Sequence, residues 1–253
     1  MALADGLPRV LYDNEFINAT SVVASTETPG FEGANVYDWK TNTSWIPTAT
    51  GSTLTATFSS PVTADSLAIY KHTLGTTSCT IDLEYFSGSW LTAVSISPSD
   101  DTAVMETFTA QSSTQWRILL TYAGDDPRIA IAAFGQFMEF ERGLALGYAS
   151  PYLSSVPDIL NAVTKGGNLI GRTQLSPKNQ TTMSVNNMTD SFVRDTWLPF
   201  ATHIQQYPFF MLWLKRDYPD EAAYCWTEGT PPALRYVKYG LISHSFKINQ
   251  RVN

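Results

Sequence analysis

The chain has 253 residues, 43% of them apolar and 15% charged, with a formal net charge of −7. That much apolar side chain excludes a disordered chain and leaves room for sizeable cores; the acidic balance excludes nucleic acid as the expected partner, since phosphate binding rests on clustered Lys and Arg. Cys79 and Cys225 are too far apart in sequence for a Cys-x-x-Cys metal or redox motif and are expected as buried free thiols.

The opening Met-Ala-Leu-Ala-Asp-Gly-Leu-Pro-Arg lacks the basic start and apolar core of a secretion signal. No run of about 18 apolar residues could span a membrane, so the expectation is folding in the cytoplasm without membrane insertion. The Asn-x-Ser/Thr triplets beginning at Asn18, Asn42, Asn179 and Asn187 are read as chance in a Thr-rich chain. Val10-Leu11-Tyr12 and Ala19 to Ala24 predict two strands of a first domain, broken by the turn Thr28-Pro29-Gly30. The Asx-rich stretch Ala34 to Trp45 predicts a loop, with Trp45 plugging one end of a core.

Ser52 to Phe58 alternates apolar and polar residues, predicting a half-buried strand that Pro61 ends. Ser66 to Tyr70, Cys79 to Tyr85, Trp90 to Val94, Thr102 to Phe108, Gln115 to Tyr122 and Ile129 to Phe140 follow at strand spacing, with a hairpin turn at Ser87-Gly88-Ser89. Asp82 and Glu84, two apart on a strand, are expected together on its solvated face. This pattern predicts a mainly β fold, with an antiparallel β-sandwich (jelly roll) over residues 1–141 and a Gly/Ala/Ser/Pro-rich linker over 142–157. Residues 158–253 then predict a small β-barrel-like domain. Its elements are strands around Gly166-Gly167, a turn at Ser176-Pro177-Lys178-Asn179, one helix near 189–206 and further strands at 208–215, 222–227 and 234–248 with Gly240 between. Thr189 takes the N-cap position, Phe192, Val193, Trp197, Phe200, Ala201 and Ile204 form one apolar stripe, and Pro199 is expected to kink the helix.

The ordered series Ala34-Asn35, Asp38, Thr43-Ser44-Trp45, Leu54 to Phe58, Ser66 to Tyr70, Leu83-Glu84-Tyr85, Ser87 to Trp90, Trp116-Arg117-Ile118-Leu119 and Ala133 to Phe137 resembles the discoidin, or coagulation-factor type C, family of galactose-binding-like jelly rolls. The resemblance covers residues 30–140. It implies glycan or lipid-headgroup binding by loops at one end of the sandwich, with a structural calcium in many members. Asp38 and Asp65 are too sparse to assign a calcium cage, and no arginine or aromatic pair is placed for a sugar as in those relatives. Further on, Trp197-Leu-Pro-Phe200, His203, Tyr207 to Phe210, Trp213 and Ala223 to Trp226 are similar in texture and order to phage minor tail and tail-tip proteins, the distal-tail group in particular. That resemblance covers the last hundred residues or so. It implies a structural virion protein of a tail tip or baseplate, assembled in the host cytoplasm around the tail axis as a three- or six-fold ring. Its partners would be copies of itself and neighbouring tail proteins, with a host-surface glycan as a candidate partner of the first domain.

No catalytic signature is present. His72, His203 and His244 lie far apart and none is in a His-Glu-x-x-His, Gly-x-Ser-x-Gly or Gly-x-Gly-x-x-Gly setting, so no enzyme activity, cofactor or metal site is assigned. Tyr37, Trp39, His72 and Tyr122 lie on or beside loops expected at the sandwich end and are the candidate ligand or interface contacts, whereas Trp45, Trp90 and Trp116 are expected in the core. The aromatic excess beyond residue 150, from Trp197 to Tyr239, is expected to supply intersubunit surface. A free carbohydrate-binding module with an accessory domain is the alternative.

Overall fold

A computed structural model of the chain describes residues 6–157, 159–175 and 178–252; the first five residues and the first half of the expected turn at 176–179 lie outside them, and its second half, Lys178-Asn179, is the start of a strand paired to Ser155–Val156. The N-terminal half contains β1 (Arg9–Leu11), α1 (Glu15–Asn18), β2 (Ser21–Ala24), β3 (Ser52–His72), β4 (Thr80–Phe86), β5 (Trp90–Ile96), β6 (Val104–Thr121), β7 (Ile129–Gly135) and β8 (Met138–Glu139). The C-terminal half contains β9 (Ser155–Val156), β10 (Ile159–Val163), β11 (Leu169–Gln174), β12 (Lys178–Thr189), α2 (Asp190–Phe192), α3 (Leu198–His203), β13 (Phe209–Leu212), β14 (Ala222–Thr227), β15 (Arg235–Lys238) and β16 (Leu241–Arg251). The fold is mainly β and antiparallel, as expected.

The sandwich is built on two long strands that bend from one layer into the other. The segments expected on either side of Pro61 are one strand, β3, paired with β6 along most of its length. Pro61 does not end it, because the register slips between Thr57 and Val62 and the missing N–H falls where the ladder has no bond to lose. β2, β4 and β5 extend one layer and β7 pairs with the second half of β3 in the other. Between the layers lie Trp45, Trp116, Phe134, Leu54, Ile81 and Leu83, all at most 1% exposed. Trp45 and Trp116 therefore meet expectation, and each indole N–H reaches a carbonyl, on Thr26 (3.0 Å) and Val62 (3.2 Å).

Strand pairing crosses the expected boundary between 1–141 and 158–253. β1 pairs with β13, Val10 opposite Met211, and β8 pairs with β1. Val10 and Leu11 therefore belong to the second sheet, whose order is β8-β1-β13-β14-β16-β12-β9 with β15 on β16. The sandwich is an insertion between two strands of that sheet. The physical reason lies in alternation: Val10 faces one core and Leu11 another, so this short apolar segment fits a sheet buried on both faces. The sheet stays open, without the barrel closure expected.

The helix covers one face of this sheet. Thr189 accepts a hydrogen bond from the Phe192 N–H (3.3 Å), as expected of the N-cap. Between α2 and α3, residues Val193–Trp197 form a wider turn in which the Leu198 N–H bonds back five residues to Val193. Pro199, next in line, brings no N–H and crowds the preceding turn, so the expected distortion takes this form. Trp197, Phe200, Val193 and Ile204 pack on Met183, Phe209 and Cys225 of the sheet.

The other face packs on the sandwich. Leu11, Phe210, Leu212 and Tyr224 meet Ala68, Tyr70, Met105 and Ile131 in a third core, with Tyr70 and Tyr224 stacked at 4.8 Å. Lys215 bonds Thr107 (2.6 Å) and Arg9 bridges Glu139 (2.9 Å) and Thr107 (3.2 Å) across the same junction. The 142–157 segment, expected as a linker, ends in β9, which pairs with β12, and is pinned to the second sheet: Gln250 donates to the Ala149 carbonyl (2.9 Å) and to Ser154 (2.7 Å).

Candidate functional site

The chain reversals at the ends of β3, β5 and β6 gather the loops 73–79, 97–103 and 122–128 at one end of the sandwich. Gly75 makes the first two interlock, since a Cβ there would sit 2.3 Å from the Asp100 backbone. Asp100 accepts from the Thr102 N–H (2.9 Å) and hydroxyl, which hold its carboxyl below the usual range. Partial burial pulls Asp101 the other way, but two hydrogen bonds from Thr76 hold it low as well.

Of the four positions singled out in the sequence, His72 and Tyr122 belong to this end. His72 is buried; its Nδ1 accepts from the Leu74 N–H (3.2 Å), so Nε2 carries the proton and donates to the Thr102 carbonyl (2.7 Å). Burial pulls its pKa down. Tyr122 is buried too, donating its hydroxyl to Asp126 (2.8 Å), and burial followed by that carboxylate raises its pKa. Both side chains hold loops in place by bonds within the chain.

Tyr37 and Trp39 diverge. Tyr37 ends the tight turn Gly33–Tyr37 and lays one face on Phe16 at 5.9 Å. Asp38 accepts from the Lys40 N–H (2.7 Å) and the Thr43 hydroxyl (2.9 Å), forming the Asx turn that throws Trp39 into a left-handed conformation, φ 61°. Trp39 then points into the junction with the second sheet, against His203 (6.1 Å), Tyr224 (6.3 Å) and Phe210 (6.4 Å), and its carbonyl accepts from the Tyr224 hydroxyl (3.0 Å). Its buried indole N–H has no hydrogen-bond partner. The four residues thus form no common ring platform.

Other side chains also depart from expectation. Glu84 is buried in an ion pair with Arg117 (2.5 Å) instead of lying solvated beside Asp82. The Arg117 guanidinium sits over the Trp90 ring at 4.2 Å, so Trp90 roofs this pair and is only partly buried. Asp38 is committed to its turn and Asp65 to the Phe137 N–H (2.8 Å). Among the described residues no group of three His, Cys, Asp or Glu side chains is placed to hold a metal ion.

Two further features remain, a cleft that no sequence pattern announces and the hairpin expected as strands around Gly166-Gly167. A cleft of about 730 Å³ opens between the two units, lined by β5, the 97–103 loop, Glu106 and residues 217–221, with Tyr152 at its edge. Tyr152 reaches across to the second unit and donates to the Asp220 carbonyl (3.1 Å). The β10–β11 hairpin, turned at Gly167 with φ 82°, pairs only within itself among the described residues. Every residue from 160 to 175 in it is exposed.

No protein-family model matches the sequence, and no curated protein matches it. Among solved structures, a pectin-binding carbohydrate-binding module is 17% identical with a TM-score of 0.39, over 46% of this chain and 89% of its own. Chitosan-binding module 1 of a Paenibacillus chitosanase/glucanase is 19% identical with a TM-score of 0.40, over 48% of this chain and 98% of its own. The carbohydrate-binding module of AlyQ, solved with 4,5-unsaturated mannuronic acid, is 20% identical with a TM-score of 0.38, over 49% of this chain and 96% of its own.

Proposed function

We propose that the chain is a structural subunit of a phage tail tip or baseplate, assembling with its own copies and displaying a carbohydrate-binding-like sandwich toward the host surface. The observation that carries the assembly role is the concentration of exposed apolar side chains outside the sandwich: Leu153, Leu160, Leu169, Ile170 and Tyr239 are each more than 60% exposed. Apolar surface of this extent normally meets another protein. An isolated two-stranded hairpin is also marginal in water without a cover. The aromatic excess contributes less than expected, because Trp197, Phe200, Phe209, Phe210 and Tyr224 fill cores on both faces of one sheet.

The glycan role rests on the sandwich-end loops, where Thr76, Asp100, Asp125 and Arg128 are exposed around a framework that needs no ligand to hold it. No catalytic step is assigned. Sedimentation of the purified chain tests the first role: a concentration-dependent ring or oligomer is expected, and a monomer at every concentration overturns it. Retention on a glycan array tests the second, and a chain that adheres to no glycan removes it. A monomer that does adhere would favour the free binding module.

A further inference from the structure

Two places among the described residues present unpaired strand edges to solvent, and β5 lacks the devices that usually protect one. β5 ends its layer, pairing only with β4, and its sequence Trp-Leu-Thr-Ala-Val-Ser-Ile contains neither charge nor proline. Solvent-facing edges are normally blunted by Lys, Pro or a cover, because their free N–H and C=O groups template further pairing. The β10–β11 hairpin is open along both outer sides and presents Leu160, Val163, Leu169 and Ile170 to solvent.

Their charges are complementary. In a chain of net charge −7, residues 159–175 contain Lys165 and Arg172 and no carboxylate. β5 rims the interdomain cleft, where Asp100, Glu106, Asp217, Asp220 and Glu221 gather. Lys215 is paired with Glu106 and Arg216 with Asp217; among the described residues, Asp100, Asp220 and Glu221 have no cationic partner.

We infer that the hairpin of one copy docks in the cleft of a neighbouring copy, adding its free edge to β5 and bringing Lys165 and Arg172 to Asp100, Asp220 and Glu221. Strand addition of this kind takes its affinity from main-chain bonds and its specificity from flanking side chains. The contact joins unlike surfaces, so its repetition generates a ring or a filament. This inference rests on the assembly role proposed above.

The test is sedimentation velocity and hydrogen–deuterium exchange on the full chain, with Lys165→Glu/Arg172→Glu, Asp220→Lys and the triple variant. All three positions are exposed, so unchanged melting serves as the folding control. Association should weaken at least about tenfold in each partial variant, recover in the triple variant, and fall with added salt. Amides of β5 should gain protection when the wild type assembles. An assembling wild type whose β5 amides exchange as in the monomer, or whose association ignores Asp220→Lys, overturns the docking site and leaves the assembly role standing. A wild type that stays monomeric overturns both.

Discussion

At the scale of single residues, close packing and burial set the measurable costs. Trp45 is wholly buried with its indole N–H on Thr26, so Trp45→Ala should cost about 3–5 kcal/mol in urea unfolding, as large aromatic truncations in cores do. An unchanged midpoint would refute that burial. Gly75→Ala forces a Cβ into the Asp100 backbone, which cannot move aside as a flexible side chain could. A loss of about 1–3 kcal/mol is expected, measured the same way. The three histidines share one behaviour, since burial lowers the pKa of His72, His203 and His244 below 6.5. The unfolded chain then binds more protons than the folded one as pH falls through about 6.5, so stability is fully present above that value and lost toward the folded pKa values. Most carboxylates titrate lower, although burial raises Glu15 and Asp65 above their ordinary values and offsets part of this fall. Calorimetry between about pH 8 and 5 should therefore show Tm falling on the acid side, and a flat profile would contradict the neutral, buried imidazoles.

At the scale of elements, the helix and its sheet are set by a few local bonds acting with a long apolar stripe. Thr189 caps α2 while its own N–H donates to Glu141 (2.7 Å), so the cap also ties the helix start to the segment after β8. Thr189→Ala should cost about 1 kcal/mol; a chevron or equilibrium melt that shows no loss would mean the Glu141 contact alone positions the helix. On the sandwich side, β4 gained a buried carboxylate because β6 places Arg117 opposite Glu84 and the Trp90 ring lies against the Arg117 guanidinium. Removing one charge of such a pair leaves the other buried alone.

For the whole molecule, the insertion of the sandwich between β1 and β8 changes how the chain divides. A cut near Ser150 leaves the C-terminal fragment without β1 and β8 and bares Phe210, Leu212 and Tyr224 of the third core. That fragment should be unfolded or aggregated by circular dichroism and light scattering, whereas the intact chain should melt in one transition. Two separate transitions in the intact chain would show that the shared core does not couple the units.

The sequence alone determined most of what depends on near neighbours. Alternating patterns located the strands, Gly88 and Gly240 marked turns with positive φ, Thr189 marked the helix start, Trp116 was legible as core from the alternation around it, and Trp45 from its size at the end of an Asx-rich loop. Period-two alternation says that a strand has two faces but not which sheet receives it, so only the tertiary structure assigned Val10 and Leu11 to the second sheet. The same limit applied to the candidate contacts. An aromatic residue in an Asx-rich loop is equally suited to meeting a ligand or another layer, and Trp39 met another layer because a left-handed turn, invisible in composition, aims it inward. The cleft and its gathered carboxylates arise from segments more than a hundred residues apart, whose proximity exists only once two apolar sheet faces have found each other.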